Sequence, residues 1–317
     1  MPQWSNAHLM FCEGPHDAAF LNRVLKKQLG FQKLALKLSE LPYPLANVLQ
    51  ASFKDRAAED LRLDLARKFF LPDYVLALDS VLVLVFSYGG SNRKVSMLPF
   101  LENLFALLAV TNFSSLQQTA ERPVYAYTVF ADADARGESS TRDLISTEFA
   151  TVGDSAWLTN AWMHIKTTKA ASQSTDFGPA AAYVWRKSTE DGGTLEDLIL
   201  ECLDGDAELH KTLEYLDSRF DWSPPAGSTA SQICASSAKR LKAAFCVEGQ
   251  KQKPGGSLGV ILDQSELLGT DKLKKSSAVQ DCLAFLAEWV MPTPVEPAAA
   301  TTQQRNSWPP KAEPQSS

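Results

Sequence analysis

Two aspartates set one residue apart, Asp132 and Asp134, end an apolar run and carry the clearest chemical pattern in the chain. Carboxylates in that spacing at a strand tip can share a hard divalent cation. Mg2+ (or Mn2+) suits them, because such ions prefer oxygen ligands and keep waters for substrate phosphates. The same pattern also describes a strand followed by an acidic turn, with Gly137 as its breaker. A second acidic pair, Glu13 and Asp17, lies near the N-terminus in Cys12-Glu13-Gly14-Pro15-His16-Asp17.

Both pairs need strands to deliver them. Val124–Ala131, rich in Tyr, Val and Phe, reads as a buried strand, and His8–Phe11 reads as a second, short one. After the latter, Ala18, Leu21, Val24, Leu25 and Leu29 recur at helical spacing, which predicts an amphipathic helix. Gly14 permits the tight turn between them, and Pro15 suits the first helical turn. Asp17 falls in that same turn, where the helix dipole favours negative charge. Ligands bind at the carboxyl ends of parallel strands in α/β sheets. The two acidic tips are therefore expected on one edge of one sheet.

Further elements alternate with these. Ser80–Ser87 is an aliphatic, β-branched strand candidate ending in the glycine turn Tyr88-Gly89-Gly90-Ser91-Asn92. Ala57–Phe70, Ser96–Val110 and Thr141–Thr147 read as helices. The resulting β-α-β-α-β-α order predicts an α/β fold with a mostly parallel sheet flanked by helices. Phe31–Leu38 is ambiguous, Ala156–Lys166 and Ala180–Arg186 are candidate strands, and Leu258–Leu262 is a short strand candidate weakened by Gly259. Asp191-Gly192-Gly193 supplies a turn, after which Thr194 reads as an N-cap with Asp197 closing a capping box. Capping is the favoured role of Asp197. That leaves Glu196 as the better metal candidate, or as a plain first-turn acid.

Composition narrows the class. Of the 317 residues 45% are hydrophobic, ordinary for a packed globular chain. No apolar run reaches the ~18 residues a membrane span needs, and the longest, Tyr74–Tyr88, is broken by Asp79. The N-terminus lacks a secretory pattern, and five scattered cysteines without zinc spacing read as thiols, so a cytoplasmic location is expected. A net charge of −6 does not look like a general nucleic-acid coat. From Glu190 to Asp221, eleven acids face two bases, a solvated helical face. From Lys239 to Lys275 the balance reverses, with eight bases against four acids. Ser237–Cys246 reads there as a helix, Glu248–Gly256 as a loop and Val279–Val290 as a final apolar helix. Lys239, Arg240, Lys242, Lys251 and Lys253 are the candidate phosphate contacts, or ordinary surface bases. The domain reading is one unit over residues 1–291, with a core at about 6–205 and a basic part at about 230–290. Residues 292–317, holding six of seventeen prolines, read as a disordered tail.

Glu-Gly-X-X-Asp after a first strand (Glu13, Gly14, Asp17), then Asp-X-Asp after a later one (Asp132, Asp134), then Gly193-Thr194-Leu195-Glu196-Asp197 opening a late helix, resembles the Toprim domain. That domain is shared by topoisomerases, bacterial primases and nucleases of the overcoming-lysogenization-defect type. The likeness is nearest to small stand-alone Toprim-like proteins and runs from about Met10 to Val290 in short islands. It implies Mg2+ at Asp132 and Asp134, with Asp17 and Glu196 completing metal positions and Glu13 as general acid/base. A topoisomerase would need a nucleophilic tyrosine on a further module, and a primase a zinc module that these cysteines cannot build. Nuclease is the remaining activity, acting on DNA or RNA. With no Walker A sequence in the chain, any ATPase would be a separate partner. A non-cleaving metal- and nucleic-acid-binding module, or another Mg2+-dependent phosphotransfer or phosphatase domain, stays open.

Overall fold

A computed structural model describes residues 4–57, 70–89, 93–113, 122–165, 168 and 170–291. Its centre is four parallel strands: β1 (Asn6–Cys12), β4 (Val81–Ser87), β5 (Val124–Asp132) and β10 (Gly178–Trp185). β1 lies between β4 and β5, and β10 pairs with the far side of β5. The edges are antiparallel. β3 (Tyr74–Leu78) and β2 (Gln32–Lys33) extend the β4 side, while β9 (Ala171–Thr175) and β8 (Met163–His164) extend the β10 side. The result is one eight-stranded α/β sheet, mostly parallel at its core.

The alternation along each strand shows why the central four are mostly apolar, His8 and Thr128 being the buried polar exceptions. Met10, Cys12, Val83, Val85, Phe130 and Tyr183 point into one core, and Leu9, Phe11, Leu84, Phe86, Val129 and Ala182 into the other. A strand covered on both faces has no polar side to present. Each such Phe, Leu or Val side chain contributes roughly 1.5–3 kcal/mol on burial.

The first core is roofed by α1 (Pro15–Gln28), α5 (Leu195–Cys202), α6 (Ala207–Arg219), α7 (Ala230–Gln250), α8 (Leu258–Gln264), the short α9 (Thr270–Leu273) and α10 (Ser277–Val290). The second is covered by α2 (Leu45–Ala57), α3 (Arg93–Phe113) and residues of α4 (Glu138–Glu148). The C-terminal basic part therefore shares the core of the sheet: Leu241, Phe245, Ile261 and Phe285 bury beside Trp185 and Leu198.

Several sequence expectations change. Leu258–Leu262 is not a strand but lies in α8, capped by Ser257, whose hydroxyl accepts from Val260 N. Gly259 there lets α8 approach α1, since a Cβ at that position would lie 3.3 Å from the Pro15 carbonyl oxygen. Among the described residues of the Ala156–Lys166 stretch, Ala156 ends β7 (Ser155–Ala156, paired with β6, Thr151–Val152) and Met163–His164 form β8, in place of one strand. α7 continues to Gln250, through part of the expected Glu248–Gly256 loop. β4 matches the expected Ser80–Ser87 strand, and Tyr74–Leu78 before it adds an antiparallel partner across a turn at Asp79, whose φ is 51°. Most of the expected Ala57–Phe70 helix and the 292–317 tail lie outside the described residues. All five cysteines are free, with Cys12, Cys202 and Cys282 buried. Among the described residues, no helix is long and apolar enough to cross a membrane.

Candidate active site

The carboxyl ends of β1, β4, β5 and β10 share one edge, because all four run parallel. Glu13 follows β1 directly and is partly buried. Its carbonyl oxygen accepts from Gly89 N at 3.0 Å, tying the tip of β1 to the turn after β4. Asp17 is 3% exposed in the first turn of α1 and accepts from Gly14 N through Oδ2 at 2.6 Å. Asp132 closes β5 and accepts from Leu195 N, the first amide of α5, at 2.8 Å. Glu196 is the next residue of α5 and is 1% exposed. Four carboxyls from three separate segments thus lie toward one sheet edge, near enough to act on one another electrostatically.

Their electrostatics report that closeness. Burial, then the charges of Asp17, Glu196 and Glu13, push the Asp132 carboxyl well above the usual range, against the Leu195 amide that favours ionisation. Asp17 rises from 3.8 to about 6, chiefly by burial, with Glu196 and Glu13 adding to the rise and His16 opposing it. Glu196 goes the other way. Burial disfavours its charge, but His16 and Lys242 more than offset that and leave it below the ordinary glutamate value.

His16 and Lys242 are the two basic side chains paired with Glu196 among the described residues. His16 Nε2 lies 3.2 Å from Glu196 Oε1 and 3.6 Å from Asp17 Oδ1. Burial works against its protonation, but Glu196 and Asp17 prevail, so its pKa is raised. Lys242 Nζ, from α7, lies 3.4 Å from the same Glu196 oxygen. Neither Glu196 oxygen accepts a hydrogen bond. The site role of His16 was not read from the sequence, and Lys242 was read as a surface phosphate contact. Their shared partner is remote along the chain, and no local pattern announces it.

Asp134 is placed differently. Its φ of 49° turns the chain, and its carboxylate pairs with Arg136 at 3.0 Å. Its backbone exchanges two hydrogen bonds with Gly193, of 2.8 and 2.7 Å, which lock the tip of β5 to the approach of α5. A Cβ on Gly192 would come within 2.5 Å of the Asp134 carbonyl oxygen, so glycine is required for that closure. Asp197 does close the capping box, accepting from Thr194 N at 2.9 Å.

Of the basic candidates, Arg240 is held by both Asp217 oxygens at 2.6 Å, and Lys251 by Glu248 at 2.8 Å. Lys239 is exposed, and neither it nor Lys253 makes an ion pair among the described residues. Sequence reasoning also passed over Asp73. It accepts from Ser87 N at 2.7 Å on the same edge, and burial raises its carboxyl.

The donor set is chemically apt for a hard divalent ion: all-oxygen, with Asp17 and Glu196 buried, Glu13 and Asp132 half-buried, and neither Glu196 oxygen accepting a hydrogen bond. Asp17 and Asp132 each accept from a backbone amide through one oxygen, and the second Asp17 oxygen faces His16 Nε2 at 3.6 Å. Among the described residues, no three His, Cys, Asp or Glu side chains are grouped tightly enough to enclose a metal. A cation would have to draw these carboxylates together.

No family model matches the sequence. No curated protein matches it either. Among solved structures the chain is similar to the hypothetical protein PH0156 from Pyrococcus horikoshii OT3, at 13% identity and a TM-score of 0.44, over 89% of this chain and 95% of that one.

Proposed function

We propose that the chain is a divalent-cation-dependent, Toprim-type nuclease that hydrolyses nucleic-acid phosphodiester bonds at the edge carrying Glu13, Asp17, Asp132 and Glu196. One observation carries this reading. Two acids, Asp17 in the buried first turn of α1 and Asp132 at the half-buried tip of β5, are held beside other carboxyls at the ligand-binding edge of a parallel sheet, at a cost to their ionisation. Structural acids are seldom placed so; acids awaiting a cation are.

In this mechanism Asp132 Oδ2 and Asp17 Oδ1, the latter exchanging its His16 partner for the ion, would hold the cation, and the Gly14 and Leu195 amides keep the other oxygens fixed. Asp134 holds the tip of β5 in place through Gly193 rather than through its carboxylate. When bound, Mg2+ would polarise a phosphate oxygen and lower the pKa of a water. Glu13, less buried than Asp17, moves the proton. Lys239 on the exposed side of α7 contacts substrate phosphate.

A second reading, a cation- and nucleic-acid-binding module that cleaves nothing, is favoured by one fact: Glu196 already has His16 and Lys242 as counter-charges. Incubation of the full chain with plasmid, single-stranded DNA and tRNA, in Mg2+ or Mn2+ and with Glu13→Ala as control, separates the two. Metal-dependent cleavage lost in the variant supports the nuclease. Tight metal binding without cleavage supports the module, and hydrolysis of a small phosphoester alone would point to a phosphatase.

A further inference from the structure

We propose that Lys242 is a built-in counter-ion that occupies Glu196 in the metal-free protein and competes with a divalent cation for that carboxylate. The inference rests on the reading that this acid cluster holds such a cation, and it concerns how the binding is regulated.

Glu196 is 1% exposed and neither of its oxygens accepts a hydrogen bond, so its charge must be balanced by ions. His16 is part of the α1 turn that carries Asp17 and belongs to the edge itself. Lys242 does not. It reaches in from α7, and its side chain is 38% exposed, with the ammonium at 3.4 Å from Oε1. A lysine ammonium on a four-carbon stem can leave for solvent when a stronger charge arrives, whereas a fully buried cation cannot. Its neighbour Arg240 is fixed by both Asp217 oxygens, so the α7 backbone stays anchored while Lys242 swings.

The arrangement has a consequence opposite to that of a phosphate-binding lysine. Removing a positive charge a few Å from the cation should strengthen cation binding, by roughly tenfold if the effective dielectric is near that of water. In the absence of metal, the same removal leaves Glu196 less balanced and destabilises the fold.

The test is calorimetric Mn2+ titration of the full chain as wild type, Lys242→Met, Lys242→Arg, Glu196→Gln and Asp132→Ala, with melts of each in chelator. Lys242→Met should bind Mn2+ roughly tenfold more tightly than wild type, yet melt lower in chelator. Lys242→Arg should restore both properties, and in a Glu196→Gln background Lys242→Met should change neither. If Lys242→Met binds Mn2+ no better than wild type while Asp132→Ala loses it, the counter-ion proposal is wrong and the metal reading stands. If no variant, wild type included, binds Mn2+, both are wrong. A Lys242→Met chain too unstable to titrate is replaced by Lys242→Gln, for which the same affinities decide.

Discussion

Replacing Asp17 by Asn should stabilise the metal-free protein at neutral pH and not in acid. Folding raises the Asp17 pKa from 3.8 to about 6, so the folded state holds this proton more tightly than the unfolded chain does. Stability from this group is therefore undiminished below about pH 4 and falls as pH rises through the window to about 6. Above that window the penalty is constant. The shift of about two units corresponds to about 3 kcal/mol. Asparagine keeps an oxygen for Gly14 N but loses the charge of the cap, worth ~1 kcal/mol. The net gain above pH 6.5 is about 1–2 kcal/mol, or a few degrees in Tm for a chain of this size. The assay is differential scanning calorimetry of wild type and Asp17→Asn in chelator at pH 4, 5, 6, 7 and 8. The difference should be nil or slightly negative at pH 4, rise to pH 6.5 and then level off. Saturating Mn2+ should reverse it, because wild type alone gains about 2.7 kcal/mol at a hundred times the Kd. A variant that is less stable by the same amount at every pH would show that Asp17 is an ordinary capping residue.

Asp132→Ala should lose both cation affinity and cleavage, whereas Glu13→Ala should lose roughly 10²–10⁴-fold in rate while binding cation nearly as wild type does; calorimetry and single-turnover assays check both. Lys239→Ala should weaken nucleic-acid binding and flatten its salt dependence by about one unit of slope, while Arg240→Ala should change the slope little, since Asp217 already neutralises that guanidinium. Deleting residues 292–317 should move Tm by less than about 2 °C, because the segment has little apolar surface to bury.

The central strands were legible because two-sided burial leaves a continuous apolar signal, as in Val81–Ser87 and Val124–Asp132. The break at Asp79 was legible too, but not that Tyr74–Leu78 is a strand folding back on β4, because a turn as short as Asp79-Ser80 carries no hairpin glycine to mark it. In α8, Leu-Gly-Val-Ile-Leu has strand composition, and the Ser257 cap together with close packing on α1 accompanies its helical form. At the site, Glu13, Asp17, Asp132 and Glu196 were readable because each follows a strand or opens a helix, where position is set locally. The diversion of Asp134 to Arg136 depends on a left-handed φ that Asp tolerates without a sequence mark. The partnership of Lys242 with Glu196 depends on how α7 docks over α5, which no periodicity encodes.

The most direct test of the site is a crystal grown with Mn2+ and measured at the manganese absorption edge. An anomalous peak at about 2 Å from oxygens of Asp17 and Asp132, beside Glu13, is the predicted result. A fully occupied peak elsewhere, or none at saturating Mn2+ with these carboxyls still on their backbone amides, would contradict the assignment of this edge as a cation-dependent active site.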